Sequence, residues 1–105
     1  MSVQHLKTEN FDAAVETANI AIVDFWADWC GYGHMLSPVL EGLAEHYGEK
    51  ILAAKVNTDE EPDLARRFGV ELLPTVVFLK NGREFDRKEG ALPAEAYMEV
   101  VDKAL

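Results

Sequence analysis

Ile20-Ala21-Ile22-Val23-Asp24-Phe25-Trp26 runs directly into Ala27-Asp28-Trp29-Cys30-Gly31-Tyr32-Gly33-His34-Met35, and this stretch decides how the rest of the chain is arranged. Ile20 to Trp26 is a near-continuous apolar run, short for a helix and rich in β-branched and aromatic side chains. It reads as a central parallel strand covered on both faces. From Gly33 to about Tyr47 the period changes. Met35, Leu36, Val39, Leu40, Leu43, Ala44 and Tyr47 recur at three- and four-residue steps, the pattern of a long amphipathic helix ending near Gly48. Pro38 falls inside it and is expected to kink it about one turn after Cys30. At the junction sits Cys30, the only cysteine. A thiol at the start of a helix faces unpaired N–H groups and the positive end of the helix dipole, which favour thiolate over thiol. The stretch therefore reads as a reactive-cysteine site. Asp24 is anomalous, because a carboxylate on a buried strand should hold its proton more tightly unless something pairs with it.

Outward from this core, Val3 to Leu6 is a short candidate strand. Asn10 to Ala18 is a helix with Phe11, Ala14, Val15 and Ala18 at helical spacing and Thr8 or Asn10 as cap. Ile51 to Val56 is the next strand and carries Lys55. Thr58-Asp59-Glu60-Glu61-Pro62 starts a short helix whose apolar face is Leu64, Ala65 and Phe68, stopped by Gly69. Leu73-Pro74-Thr75 leads into a buried strand at Val76 to Leu79. Asn81-Gly82 is a hairpin signal that returns the chain antiparallel through Arg83 to Glu89. That last strand is charged apart from Phe85, as an edge strand should be. Gly90-Ala91-Leu92-Pro93 opens a terminal helix with Tyr97, Val100, Val101 and Ala104 facing inward. The order β-α-β-α-β-α-β-β-α implies a mixed sheet with helices on both faces, an α/β fold whose functional residues gather at the carboxyl ends of the strands.

With 105 residues the chain fits one domain, residues 1–105, with a core that needs no disulfide or metal. A formal net charge of −9 argues against nucleic acid as partner, since phosphate binders cluster Lys and Arg. No apolar run approaches membrane-spanning length. The start, Met1-Ser2-Val3-Gln4-His5, lacks the charged-then-apolar pattern of a signal peptide, so cytoplasmic is the expected location. A single cysteine excludes an internal disulfide. Cys30 with His34 is half a metal site, so neither metal nor other cofactor is expected.

Several segments together resemble the thioredoxin family, and the likeness runs essentially end to end. Val23-Asp24-Phe25-Trp26-Ala27-Asp28-Trp29-Cys30-Gly31 is similar to the strand and active-site entry of that family, and Met35, Pro38, Leu40 and Leu43 to its kinked helix. Ala54-Lys55-Val56-Asn57, then Pro62, Ala65, Phe68, Gly69 and Val70, follow the same pattern. So do Pro74-Thr75, Lys80-Asn81-Gly82 and Gly90-Ala91-Leu92. The resemblance implies a thioredoxin fold, about five strands in a mixed sheet flanked by about four helices. It also implies protein-disulfide reductase chemistry on disulfide-containing protein substrates. Cys30 would be the attacking nucleophile. Asp24 would be the buried carboxylate that relays a proton for the second thiol, with Lys55 beside it. Pro74 would be the cis-proline facing the sulfur, with Leu73 and Thr75 offering backbone groups to an extended substrate segment. Trp29, Gly31, Tyr32, Leu73, Gly90 and Ala91 would form the apolar lip.

The family pattern is Trp-Cys-Gly-Pro-Cys, commonly followed by lysine. Here Tyr32 replaces the proline, Gly33 the second cysteine, and His34 follows. The dithiol cycle needs a second thiolate to resolve the mixed disulfide. With Gly33 the reaction should begin and stop there until an external thiol arrives. A glycine in the first turn also costs up to ~1 kcal/mol against alanine, so it brings no stability. Gly33 is either a substitution of a Cys-Gly-Tyr-Cys parent that traps substrate, the parent being served by thioredoxin reductase, or a natural monothiol branch. Other readings stay open. Asp24 and Lys55 could be a purely structural pair. Trp29 could be a core aromatic, and Trp26 reads as a core residue. His34, four residues after Cys30, could favour the thiolate when protonated or simply be solvated. For the whole chain the alternatives are a monothiol glutaredoxin-like protein, with glutathione and an iron–sulfur cluster, and a redox-inert binding module. A Cys30–Cys30 homodimer is the expected product of oxidation.

Overall fold

The structure, a computed structural model, describes residues 3–105. Met1 and Ser2, where the expected domain and the expected leader-free start begin, lie outside the described residues. In chain order the elements are β1 (Gln4–His5), α1 (Phe11–Glu16), β2 (Ile20–Trp26), α2 (Gly31–Tyr47), a 3-10 turn (Gly48–Lys50), β3 (Ile51–Asn57), α3 (Pro62–Arg67), β4 (Thr75–Lys80), β5 (Arg83–Glu89) and α4 (Ala94–Ala104). This is the order expected from the hydrophobic periods, with the apolar run Ile20 to Trp26 bounded as read.

The five strands form one sheet in the order β1-β3-β2-β4-β5. β2 is central, but parallel to only one neighbour. It runs parallel to β3, with Asp24 opposite Lys55, and antiparallel to β4, with Asp24 opposite Val76. The apolar run reads as a parallel strand, and it has an antiparallel neighbour as well. The run only requires that both faces be covered, and an antiparallel neighbour meets that requirement equally well. β4 and β5 are joined at Asn81 and Gly82, both at positive φ (51° and 85°), the conformation of a two-residue hairpin turn whose twist matches the strands.

Alternation along the strands splits the core in two. Ile22, Ala53, Val76 and Phe78 face α2 and α4, where Leu36, Leu40, Leu43, Tyr97 and Val101 meet them. Val23, Phe25, Ala54, Val56, Val77 and Leu79 face the other layer, where Phe11 and Val15 of α1 and Leu64 of α3 pack. Asp24 and Trp26 share the face of Ile22, so both point toward α2.

The helix starts differ from the sequence expectation in one consistent way: the expected caps are used elsewhere. Asn10 precedes α1 but makes no side-chain cap; its Oδ1 accepts the N–H of Lys7 (2.8 Å). Thr8 donates its N–H and hydroxyl to Glu61 (2.9 and 3.0 Å), tying the α1 approach to the α3 approach. α1 is accordingly shorter than expected and ends before Thr17 and Ala18. α2 continues through Pro38. In α4, Tyr97, Val100 and Val101 are buried, whereas Ala104 is only half-buried.

Candidate active site

Three loops converge at the carboxyl end of β2. Cys30 is the residue immediately before α2, with extended backbone (φ −95°, ψ 106°). Its N–H bonds Ala27 O (3.1 Å), and its carbonyl receives the N–H groups of Gly33 (3.1 Å) and His34 (3.4 Å). The turn holds the thiol at the N-terminus of α2. The side chain is 9% exposed, and Sγ points to the Leu73 carbonyl at 3.5 Å. The Leu73–Pro74 bond is cis. Pro74 is buried, and its carbonyl accepts the N–H of Gly90 (2.8 Å), whose φ of +85° suits a residue without Cβ. Tyr97 holds that loop from below, accepting from Leu92 N–H (3.0 Å) and donating to the Gly90 carbonyl (3.3 Å). Thr75 is buried, paired in the sheet with Phe25 and Glu89, and its hydroxyl donates to the Leu72 carbonyl. Any contact of Thr75 with a substrate would run through its backbone.

Beneath the helix start lies a buried polar group without a partner. Asp24 is fully buried and neither carboxylate oxygen has a hydrogen bond. Burial pushes its carboxyl up to about 7, and the charge of Lys55 opposes that rise. Lys55 lies opposite Asp24 in the register, yet its ammonium donates to Ser37 Oγ (2.7 Å) and lies 4.3 Å from the centre of the Trp26 ring. Trp26 is half-buried, and its indole N–H also lacks a partner.

Gly33 sits on the same face, above Trp26. A Cβ built on Gly33 lies 3.9 Å from Cys30 Cβ, inside the ~3.5–4.5 Å range of disulfide-bonded residues. The same Cβ lies 3.3 Å from Trp26 Cβ, close enough that Trp26 must yield slightly.

Around the sulfur, Trp29, Tyr32 and Met35 stand exposed on one side and Leu72 on the other. Trp29 is 71% exposed, which removes it from the core, and its Nε1 donates to Asp59 Oδ2 (2.9 Å). Gly31 is exposed, and Leu73, Gly90 and Ala91 are half-buried at the rim. A groove of about 350 Å³ runs beside Cys30 between Trp29 and Thr58 on one wall and Val70, Glu71, Leu72 and Leu73 on the other. His34 is exposed, and its Nε2 donates to the Asp28 carbonyl (2.7 Å), so its hydrogen bond serves the loop rather than the sulfur.

Three neighbours escaped the sequence reading: Ser37, Asp59 and Leu72. Met35, read as part of the apolar face of α2, is instead exposed beside the site. Ser37 and Asp59 carried no signal, because a serine in a helix and an aspartate in an acidic turn look like solvated residues.

The thioredoxin family model matches residues 2–103. The chain is 40% identical over 96 residues to a thioredoxin of Chlorobaculum thiosulfatiphilum, covering 90% of this chain and 89% of that protein. It is 37% identical over 91 residues to thioredoxin 1 of Synechococcus elongatus (87% and 85%). With the chloroplastic M-type thioredoxin of Pisum sativum it shares 45% over 82 residues, which is 78% of this chain but 48% of the pea protein. The chain thus spans about half of the pea protein and most of the bacterial ones. A similar solved structure, with a TM-score of 0.86, 29% identity and coverage of 96% and 95% of the two chains, comes from work on the thiol resolving mechanism in yeast mitochondrial 1-Cys peroxiredoxin via glutathione/thioredoxin systems.

Proposed function

The chain belongs to the thioredoxin family, and from that premise we propose that it carries out the first half of protein thiol–disulfide exchange and holds the product. The Cys30 thiolate attacks one sulfur of a substrate disulfide. The substrate S–S bond breaks, its second sulfur leaves as thiolate and takes a proton from solvent, and a Cys30–substrate disulfide remains. In a dithiol relative a second thiolate would displace the substrate and leave an internal disulfide. Here that position is Gly33, and release waits for an external thiol. Asp24 and Lys55 belong to the missing half of the cycle. Trp29, Gly31, Tyr32, Leu73, Pro74, Thr75, Gly90 and Ala91 make the surface for an extended substrate segment.

The observation that carries this reading is the geometry at Gly33. A side chain there would start at disulfide distance from Cys30 and above an unpaired carboxylate. Those are the requirements of a resolving cysteine and have no use for a glycine. The protein is accordingly read as a trapping form of a Cys-Gly-Tyr-Cys parent, which thioredoxin reductase would serve. Cytoplasmic placement belongs to the same proposal; among the described residues no helix is long and apolar enough to cross a membrane.

The test has two arms. Incubated with a protein disulfide such as insulin and run on a non-reducing gel, the protein should accumulate a mixed disulfide through Cys30 without catalytic turnover. Gly33→Cys should restore reductase turnover with thioredoxin reductase and NADPH. Turnover by the Gly33 protein without added thiol, or an inactive Gly33→Cys protein that folds, would refute the proposal.

A further inference from the structure

We propose that Ser37 is a positioning residue: its hydroxyl holds the Lys55 ammonium away from Asp24 and keeps that carboxylate unpaired beneath Cys30 and Gly33. The inference rests on the reading of the site as a thiol–disulfide exchange centre.

Asp24 and Lys55 stand directly opposite each other on neighbouring parallel strands, on the same face of the sheet. An ion pair is the ordinary outcome of that placement, because each charge is costly to bury alone. Both are buried, Lys55 to 9% exposure, and yet neither Asp24 oxygen has a partner. The ammonium has gone upward to α2, to Ser37 Oγ at 2.7 Å, with the Trp26 ring at 4.3 Å. A hydroxyl and an aromatic face both stabilise a cation without supplying a negative charge. They therefore satisfy Lys55 while leaving Asp24 without a hydrogen-bonded partner, so that the Lys55 charge reaches it only through space.

Few other groups face Asp24. β4 offers Val76 opposite it. α2 covers the face with Gly33, Leu36, Ser37 and Leu40, none of them titratable. At the head of α2, Cys30 and His34 hydrogen-bond Leu73 and Asp28. From α4 comes Tyr97, whose phenol proton is held more tightly, chiefly by burial and in part by the Asp24 charge. Lys55 is thus the cation that can change the state of Asp24, and Ser37 is what sets where Lys55 points. The consequence is a carboxyl that carries its proton near neutral pH and can exchange it with a group at position 33, rather than a permanently ionised partner of lysine.

Ser37→Ala removes the acceptor without disturbing the helix, since alanine is favoured there. The Asp24 carboxyl is followed by carbon-13 NMR of aspartate-labelled protein, with Asp24→Asn assigning the signal. The expected result is a titration midpoint about one pH unit or more lower in Ser37→Ala, as Lys55 turns to the remaining acceptor. Ser37→Thr, which keeps the hydroxyl, should leave the midpoint in place. In a Lys55→Gln background Ser37→Ala should no longer lower it. An unchanged or raised midpoint in Ser37→Ala overturns the proposal. So does a Ser37→Thr protein that behaves like Ser37→Ala, or a fall that persists without Lys55. Mixed-disulfide formation measured on the same samples separates the two readings. If Cys30 fails to capture substrate while the Asp24 midpoint moves as expected, it is the exchange function that falls.

Discussion

Replacing Asp24 with asparagine should make the protein more stable at neutral and alkaline pH, by an amount that the burial of the carboxyl sets. In the unfolded chain the group titrates at its ordinary value of 3.8, whereas in the fold it holds its proton up to about 7. The folded state therefore binds more protons than the unfolded state throughout that window, and stability falls as pH rises through it. Below the unfolded value both states are protonated and nothing is lost; above the folded value the full cost is present. At about 1.4 kcal/mol per pH unit the interval corresponds to roughly 4 kcal/mol. Asparagine has nearly the same shape and cannot ionise. Since neither oxygen of Asp24 is hydrogen-bonded, no native bond is broken by the exchange. Burying the amide adds an offset of about 1–3 kcal/mol that does not depend on pH. The measurement is urea unfolding of both proteins at a series of pH values from about 4 to 8, followed by tryptophan fluorescence and extrapolated linearly. Taking the difference cancels the opposite acid-side trend of the surface carboxylates, such as Glu61, whose bonds from Thr8 hold it below its ordinary value. The variant should gain on the parent by roughly 4 kcal/mol across the range. A difference that stays flat, or that shrinks as pH rises, would refute the account of Asp24 as a buried, unpaired acid.

Two further substitutions separate surface from scaffold. Trp29→Ala should change stability by no more than about 1 kcal/mol, because it removes an exposed ring and one hydrogen bond to Asp59. It should nevertheless slow mixed-disulfide formation with a protein disulfide more than with a small aromatic disulfide, which stopped-flow comparison of the two substrates would read. Gly82→Ala should cost roughly 1–2 kcal/mol in chemical denaturation, since φ is +85° and the new Cβ would lie 3.0 Å from Glu16 Cγ. A neutral result there would mean that the hairpin relaxes without its turn conformation.

The element order was legible because each segment carries its own period. Ile20 to Trp26 is short, rich in β-branched side chains and apolar apart from Asp24, as a doubly covered strand is, and the steps from Met35 to Tyr47 follow the helical period. Their junction placed Cys30 at a helix start, and Asn81-Gly82 announced the hairpin through the one turn type that wants positive φ twice. Caps were less legible. Thr8 and Asn10 are good cap residues in isolation, but Thr8 found an anion in Glu61, distant in sequence, and Asn10 closed its own turn at Lys7. A local propensity of about 1 kcal/mol is easily outweighed by a charge-assisted bond that folding brings within reach.

The sequence by itself determined an α/β order of elements with a cysteine at a strand-to-helix junction, an aspartate inside an apolar strand and no second cysteine among its 105 residues. Those facts depend on composition, spacing and hydrophobic period, which are local. Only the tertiary structure decided what the acid and its lysine do. Asp24 and Lys55 stand opposite each other on neighbouring strands, and the family resemblance makes them a pair; the fold brings Ser37 Oγ and the Trp26 ring to the Lys55 ammonium and leaves both Asp24 oxygens without a hydrogen bond. Which of two acceptors a buried charge chooses depends on the direction in which helix and sheet present them, and that direction exists only once the two are packed.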